Sequence, residues 1–144
     1  MSTWTTEDRI EAQKMIPAMR NTQATHVDFG FLRGIIGSNP NFMPSNIDMV
    51  LERKGSFLFG EWKRDGEDMK TGQKILLKEL ACIHKVLIIT GHVDTEPHIL
   101  LIQEVSPITG NLKTVGKSTA DLIKYIQDWY KDAEDDADYF ALHS

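Results

Sequence analysis

Three side chains near the middle of the chain have the types and spacing to do chemistry: Asp48, Glu61 and Lys63. The stretches IDMVLER (47–53) and FLFGEWK (57–63) read as two strands, and the RKGS between them suits a tight hairpin turn. A turn at Lys54-Gly55 sets Arg53 opposite Ser56, and counting back along both strands sets Asp48 directly opposite Glu61. Opposed residues hold their Cβ atoms about 4.5–5.5 Å apart, where like charges are destabilising. Two carboxylates so placed need a proton or a cation between them. Lys63 follows Glu61 by two residues and therefore projects from the same face. A small set of hard oxygen ligands suits Mg2+ or Mn2+, which keep waters and accept phosphate oxygens. A dication held there would acidify a bound water and stabilise charge during displacement at phosphorus. Lys63 would orient that water or neutralise the developing charge.

Other elements must hold this hairpin in place. Residues 6–19 (TEDRIEAQKMIPAM) open with a Thr N-cap followed by acids, a helix start, and Pro17 ends or kinks that helix. Residues 26–36 fit either a helix or a strand, and 37–46 (GSNPNFMPSN) form a loop. Residues 71–84 (TGQKILLKELACIH) carry an apolar stripe at 76, 77, 80 and 83, which predicts a helix with Cys82 on its buried side. The runs KVLIIT (85–90) and HILLIQEV (98–105) suit strands buried on both faces. Residues 106–117 form a loop with room for a short strand. Ser118 and Asp121 resemble a capping box before a helix with Leu122, Ile123, Ile126, Trp129 and Tyr130 as its apolar face. The expected fold is α/β, a mixed sheet flanked by helices.

The 144 residues predict one domain over 1–131, followed by a frayed acidic tail over 132–144. A single cysteine excludes a disulfide framework and any multi-cysteine zinc or iron–sulfur site. No apolar run approaches the length of a membrane span, and MSTWTTEDRIEAQ lacks the pattern of a secretory signal, so the expected location is the cytoplasm. The formal net charge is −5, but the deficit is local. Residues 118–144 carry seven acids against two bases, whereas residues 51–85 carry eight bases against six acids. The middle of the chain is therefore free to meet phosphate.

Pro44-Ser45-Asn46-Ile47-Asp48, then Glu61-Trp62-Lys63, then Gly72-Gln73 opening a helix, resemble the PD-(D/E)XK nuclease superfamily, which includes restriction enzymes, Holliday-junction resolvases and small phage nucleases. The resemblance runs from about residue 6 to residue 105. It implies a restriction-endonuclease-like core, Asp48 and Glu61 as metal ligands, Lys63 as the catalytic lysine, and Gln73 as a helix-borne polar residue beside the site. It also implies a further acid on the first helix, for which Glu11 is the first candidate and Glu7 the second. The implied activity is Mg2+- or Mn2+-dependent cleavage of DNA, at a junction or a specific site, by a homodimer. The proline stands four residues before the Asp, a departure from the family pattern.

Lys70, Lys74 and Lys78 lie along one flank of the 71–84 helix, where they can track a phosphate backbone. Arg53 and Lys54 at the hairpin tip, with Arg64 beyond Lys63, extend this basic rim. His92, Asp94 and His98 (GHVDTEPH) match no metal-binding spacing and read as a connection between strands. The alternative reading is a non-catalytic α/β module that binds nucleic acid or protein and shows D…ExK by coincidence. It predicts no dependence on a divalent metal and indifference to Lys63→Ala.

Overall fold

The computed structural model describes residues 28–143. The chain divides into two compact units, Met1–Pro44 and Ser45–Ser144. The 6–19 helix, with Glu7 and Glu11, lies outside the described residues. In the first unit the ambiguous 26–36 stretch contains a short 3-10 helix, Phe29–Leu32, whose N-terminus is capped by Asp28 through a 2.8 Å bond from the Gly30 N–H.

The second unit is α/β. It holds a five-stranded sheet in the order β1-β2-β3-β4-β5: Met49–Arg53, Ser56–Arg64, Lys85–Val93, Pro97–Val105 and Leu112–Gly116. Two helices complete it, α1 (Thr71–Ala81) and α2 (Thr119–His143). All neighbours in the sheet are antiparallel except β2 and β3, which are parallel and joined through α1. A parallel pair needs a crossover of this kind. No helix among the described residues is long and apolar enough to cross a membrane.

The β1–β2 turn sits at Lys54-Gly55, both with positive φ (49° and 85°). That conformation matches the twist of a two-residue hairpin, and glycine adopts it without strain. Glu52 Oε2 braces the turn by accepting the Gly55 N–H at 2.8 Å. The register runs from Arg53 opposite Ser56 to Met49 opposite Gly60, as the sequence predicts.

Each face of the sheet carries its own core. Leu58, Leu87, Ile89 and Ile102 pack with Trp129 of α2, and Val86, Ile88 and Val105 pack with Leu77 and Ala81 of α1. Central strand β3 is thus buried from Val86 to Gly91, which explains its unbroken apolar run. Helix α1 ends at Ala81, and Cys82, expected inside, is exposed at its C-cap. The loop after β4 carries a strand, β5. Ser118 Oγ accepts the Asp121 N–H at 3.1 Å, while Asp121 Oδ2 accepts the Lys117 N–H at 2.9 Å, a reciprocal cap at the start of α2.

The segment from Asp132 onward, expected to fray, continues α2 to His143. Ala133 is buried against the fold, and Glu134 pairs with both Arg53 and Lys54. These non-local contacts hold an acidic sequence in helix where local composition argues against it.

Candidate active site

Strand β2 sets the site by its alternation. Phe59 packs on the α1 side and Leu58 on the α2 side, so Glu61 and Lys63 project toward α1 and Trp62 toward α2. Asp48 lies one step beyond the last β1–β2 pair, Met49 and Gly60, at the position facing Glu61. There its side chain replaces a ladder bond: Oδ2 accepts the Trp62 backbone N–H at 2.8 Å. This bond fixes the aspartate carboxylate at the end of the hairpin.

Glu61 is buried, with 8% of its surface exposed. Gln73, in the first turn of α1, donates from Nε2 to Glu61 Oε1 at 2.5 Å. Glu61 Oε2 has no hydrogen-bond partner among the described residues. Burial raises the Glu61 pKa, the nearby Asp48 charge raises it further, and the result is about 7 instead of 4.5. Glu61 therefore holds a proton below about pH 7, and above it its charge faces Asp48 across the hairpin.

A second buried oxygen without a partner lies close in the sheet. Thr90 is the β3 residue in register with Lys63, and it follows Ile88 on the α1 side. Its Oγ1 also lacks a hydrogen-bond partner among the described residues. Buried hydroxyl and carboxylate oxygens without partners are uncommon in folded proteins. The sequence offered one signal for Thr90: it is the polar end of KVLIIT, in the parity of the inward-facing Ile88.

The other expected residues divide by location. Arg64 is exposed and follows Lys63 at the same end of β2. Lys70 is the N-cap residue of α1, and Lys74 and Lys78 line a cleft of about 440 Å³ with Met69, Ile88 and Leu112. Arg53 and Lys54 stand at the opposite end of the hairpin, roughly 16 Å from Asp48 by strand rise. They are engaged by Glu134 and Asp138 of α2, and Arg53 also lies 4.9 Å from the Tyr130 ring centroid. The hairpin tip thus ties down a helix and does not extend the basic rim beside Asp48. A cleft of about 570 Å³ between Ser56, His84 and Asp132 is also at that far end.

The donor set fits a hard dication. Glu61 Oε2 is an orphaned acceptor, Asp48 keeps an oxygen beyond the one bound to Trp62, and both ligands are carboxylates. Comparison with known proteins adds no relative: no family model, no curated protein and no solved structure matches the chain.

Proposed function

We propose that the chain is a metal-dependent endonuclease that hydrolyses phosphodiester bonds in DNA, with a PD-(D/E)XK-like core. The observation that carries this reading is the buried Glu61 carboxylate, whose Oε2 lacks a partner, lying beside Asp48 on a strand that presents Lys63 from the same face. Asp48 and Glu61 would hold Mg2+ or Mn2+, which supplies an acidified water and charge neutralisation at phosphorus. Gln73 fixes the rotamer of Glu61 through its short hydrogen bond, and the Trp62 N–H fixes Asp48. Lys63 neutralises charge on the phosphoryl oxygens and orients the attacking water. Hydrolysis then adds the water oxygen to phosphorus and breaks one P–O ester bond, and the departing sugar oxygen takes up a proton. Arg64, Lys70, Lys74 and Lys78 supply cations for the phosphate backbone. A homodimer would bring two such sites to two strands.

The test is cleavage of a supercoiled plasmid and of a four-way junction by the full chain, with Mg2+, Mn2+ or EDTA. Cleavage is expected only with metal, and Lys63→Ala and Glu61→Gln are each expected to slow it by about a hundredfold or more. Cutting that persists in EDTA or in Lys63→Ala would refute this assignment. DNA binding without cleavage on either substrate would favour a non-catalytic module.

A further inference from the structure

The β3–β4 hairpin brings together three residues that the linear sequence keeps apart. His92 and His98 are a directly opposed pair in its register. Their rings are 5.1 Å apart between centroids and inclined by only 22°, so both project from one face. Asp94 enters the connection between them, where its N–H meets the Glu96 carbonyl at 3.3 Å. One ligand atom from each of His92, Asp94 and His98 lies within 4.8 Å of the other two.

We propose that His92, Asp94 and His98 form a cation site for a transition-metal dication of the Zn2+ type, separate from the Asp48 and Glu61 carboxylates. Around Zn2+, nitrogen ligands sit about 2.0–2.1 Å from the metal, which places tetrahedral ligand atoms about 3.4 Å apart. Rotation of exposed side chains closes the remaining gap, because all three residues are exposed and their side chains make no other hydrogen bond or ion pair among the described residues. Two imidazoles and one carboxylate select Zn2+, Ni2+ or Cu2+ over Mg2+, whereas Asp48 and Glu61 offer oxygen alone. Three protein ligands leave a fourth position for water or an anionic oxygen. The backbone is built to bring the strands together here. At Gly91, just before His92, a Cβ would sit 2.0 Å from the His98 carbonyl oxygen, so only glycine permits this approach.

The site lies at the same end of the sheet as the carboxylates. His92 is two residues beyond Thr90, the residue in register with Lys63, and strand alternation keeps it on the α1 side. The site rests on the hairpin geometry alone and stands whether or not the chain cleaves DNA.

Calorimetric titration of the tag-free full chain, stripped of metal, with ZnCl2 tests the proposal. One Zn2+ per chain is expected, with the His92 and His98 ring-proton NMR signals shifting or broadening together. His92→Ala and His98→Ala should each weaken binding by about tenfold or more, and Asp94→Asn should also weaken it. The Asp48→Asn/Glu61→Gln double variant should bind Zn2+ with unchanged affinity. Failure of the wild-type histidine signals to respond would overturn the site without recourse to any variant. So would Zn2+ binding that survives the His92→Ala/His98→Ala double variant or disappears with the two carboxylates.

Discussion

Glu61 is a carboxyl group in an environment that opposes its charge. Burial and Asp48 both favour the protonated form, and only the Gln73 amide favours the carboxylate among the side chains that touch it. Because the folded pKa of about 7 exceeds the ordinary 4.5, the folded chain holds a proton that the unfolded chain has released between those values. The contribution to stability is therefore fully present below pH 4.5 and is lost as pH rises through about 7. In EDTA, the melting temperature should fall across this window, and Glu61→Gln should flatten that part of the curve. The variant should melt above the wild type at about pH 8, where the native carboxylates repel. On the nuclease reading, Mg2+ should reverse the order by protecting only the wild type, and more so at pH 8 than at pH 6, since the proton and the cation would compete for the same oxygens. Thermal melts across pH, with and without Mg2+, decide this. An identical pH slope in wild type and Glu61→Gln would show that Glu61 carries no such proton.

At the scale of elements, the hairpins show what a sequence can and cannot disclose. The β1–β2 register follows from Lys54-Gly55 and the two-residue period of side chains, so the facing positions of Asp48 and Glu61 are legible in the residues alone. The β3–β4 hairpin gives no such purchase, because its strands are continuous apolar runs and its ladder shifts at Thr90/Gly91. The meeting of His92 with His98 depends on that register, and the open oxygen of Thr90 depends on which face its strand turns inward. Helix α2 is legible at its capped start and not at its end, since Ala133 and Glu134 are held by partners distant in the chain, as in the Arg53–Glu134 bond.

The β3–β4 ladder bulges opposite Gly91, where β4 inserts Leu100 between the partners of Thr90 and Gly91. An added Cβ would meet the His98 carbonyl at 2.0 Å and Trp62 Cη2 at 2.8 Å. A backbone carbonyl cannot swing aside as a flexible side chain can, so Gly91→Ala must part the strands locally. The expected cost is about 2–3 kcal/mol of overpacking, measurable by urea unfolding. Loss below about 0.5 kcal/mol, the range of a neutral surface change, would mean that β4 does not approach β3 as closely as described.

Across the whole molecule, charge is sorted by location. The acids of α2 are spent partly on the hairpin tip: Lys54 and Arg53 hold the Glu134 carboxyl down at about 2. Two of the bases between residues 51 and 85 are thereby committed to holding α2, whereas Arg64 at the end of β2 and Lys70 and Lys74 at the start of α1 are exposed. On the nuclease reading, this division predicts which lysines DNA contacts. Lys74→Ala/Lys78→Ala should weaken DNA binding across all sequences and reduce the slope of log K against log salt by about 0.9 for each phosphate no longer neutralised. Arg53→Ala should leave that slope unchanged and instead lower the melting temperature, by an amount that shrinks as salt screens the Glu134 pair. Filter-binding or anisotropy titrations at several salt concentrations, run beside thermal melts, separate the two effects. If Arg53→Ala reduced the salt slope while Lys74→Ala/Lys78→Ala did not, the DNA path would lie over the hairpin tip. The cleft beside α1 would then have no part in binding phosphate.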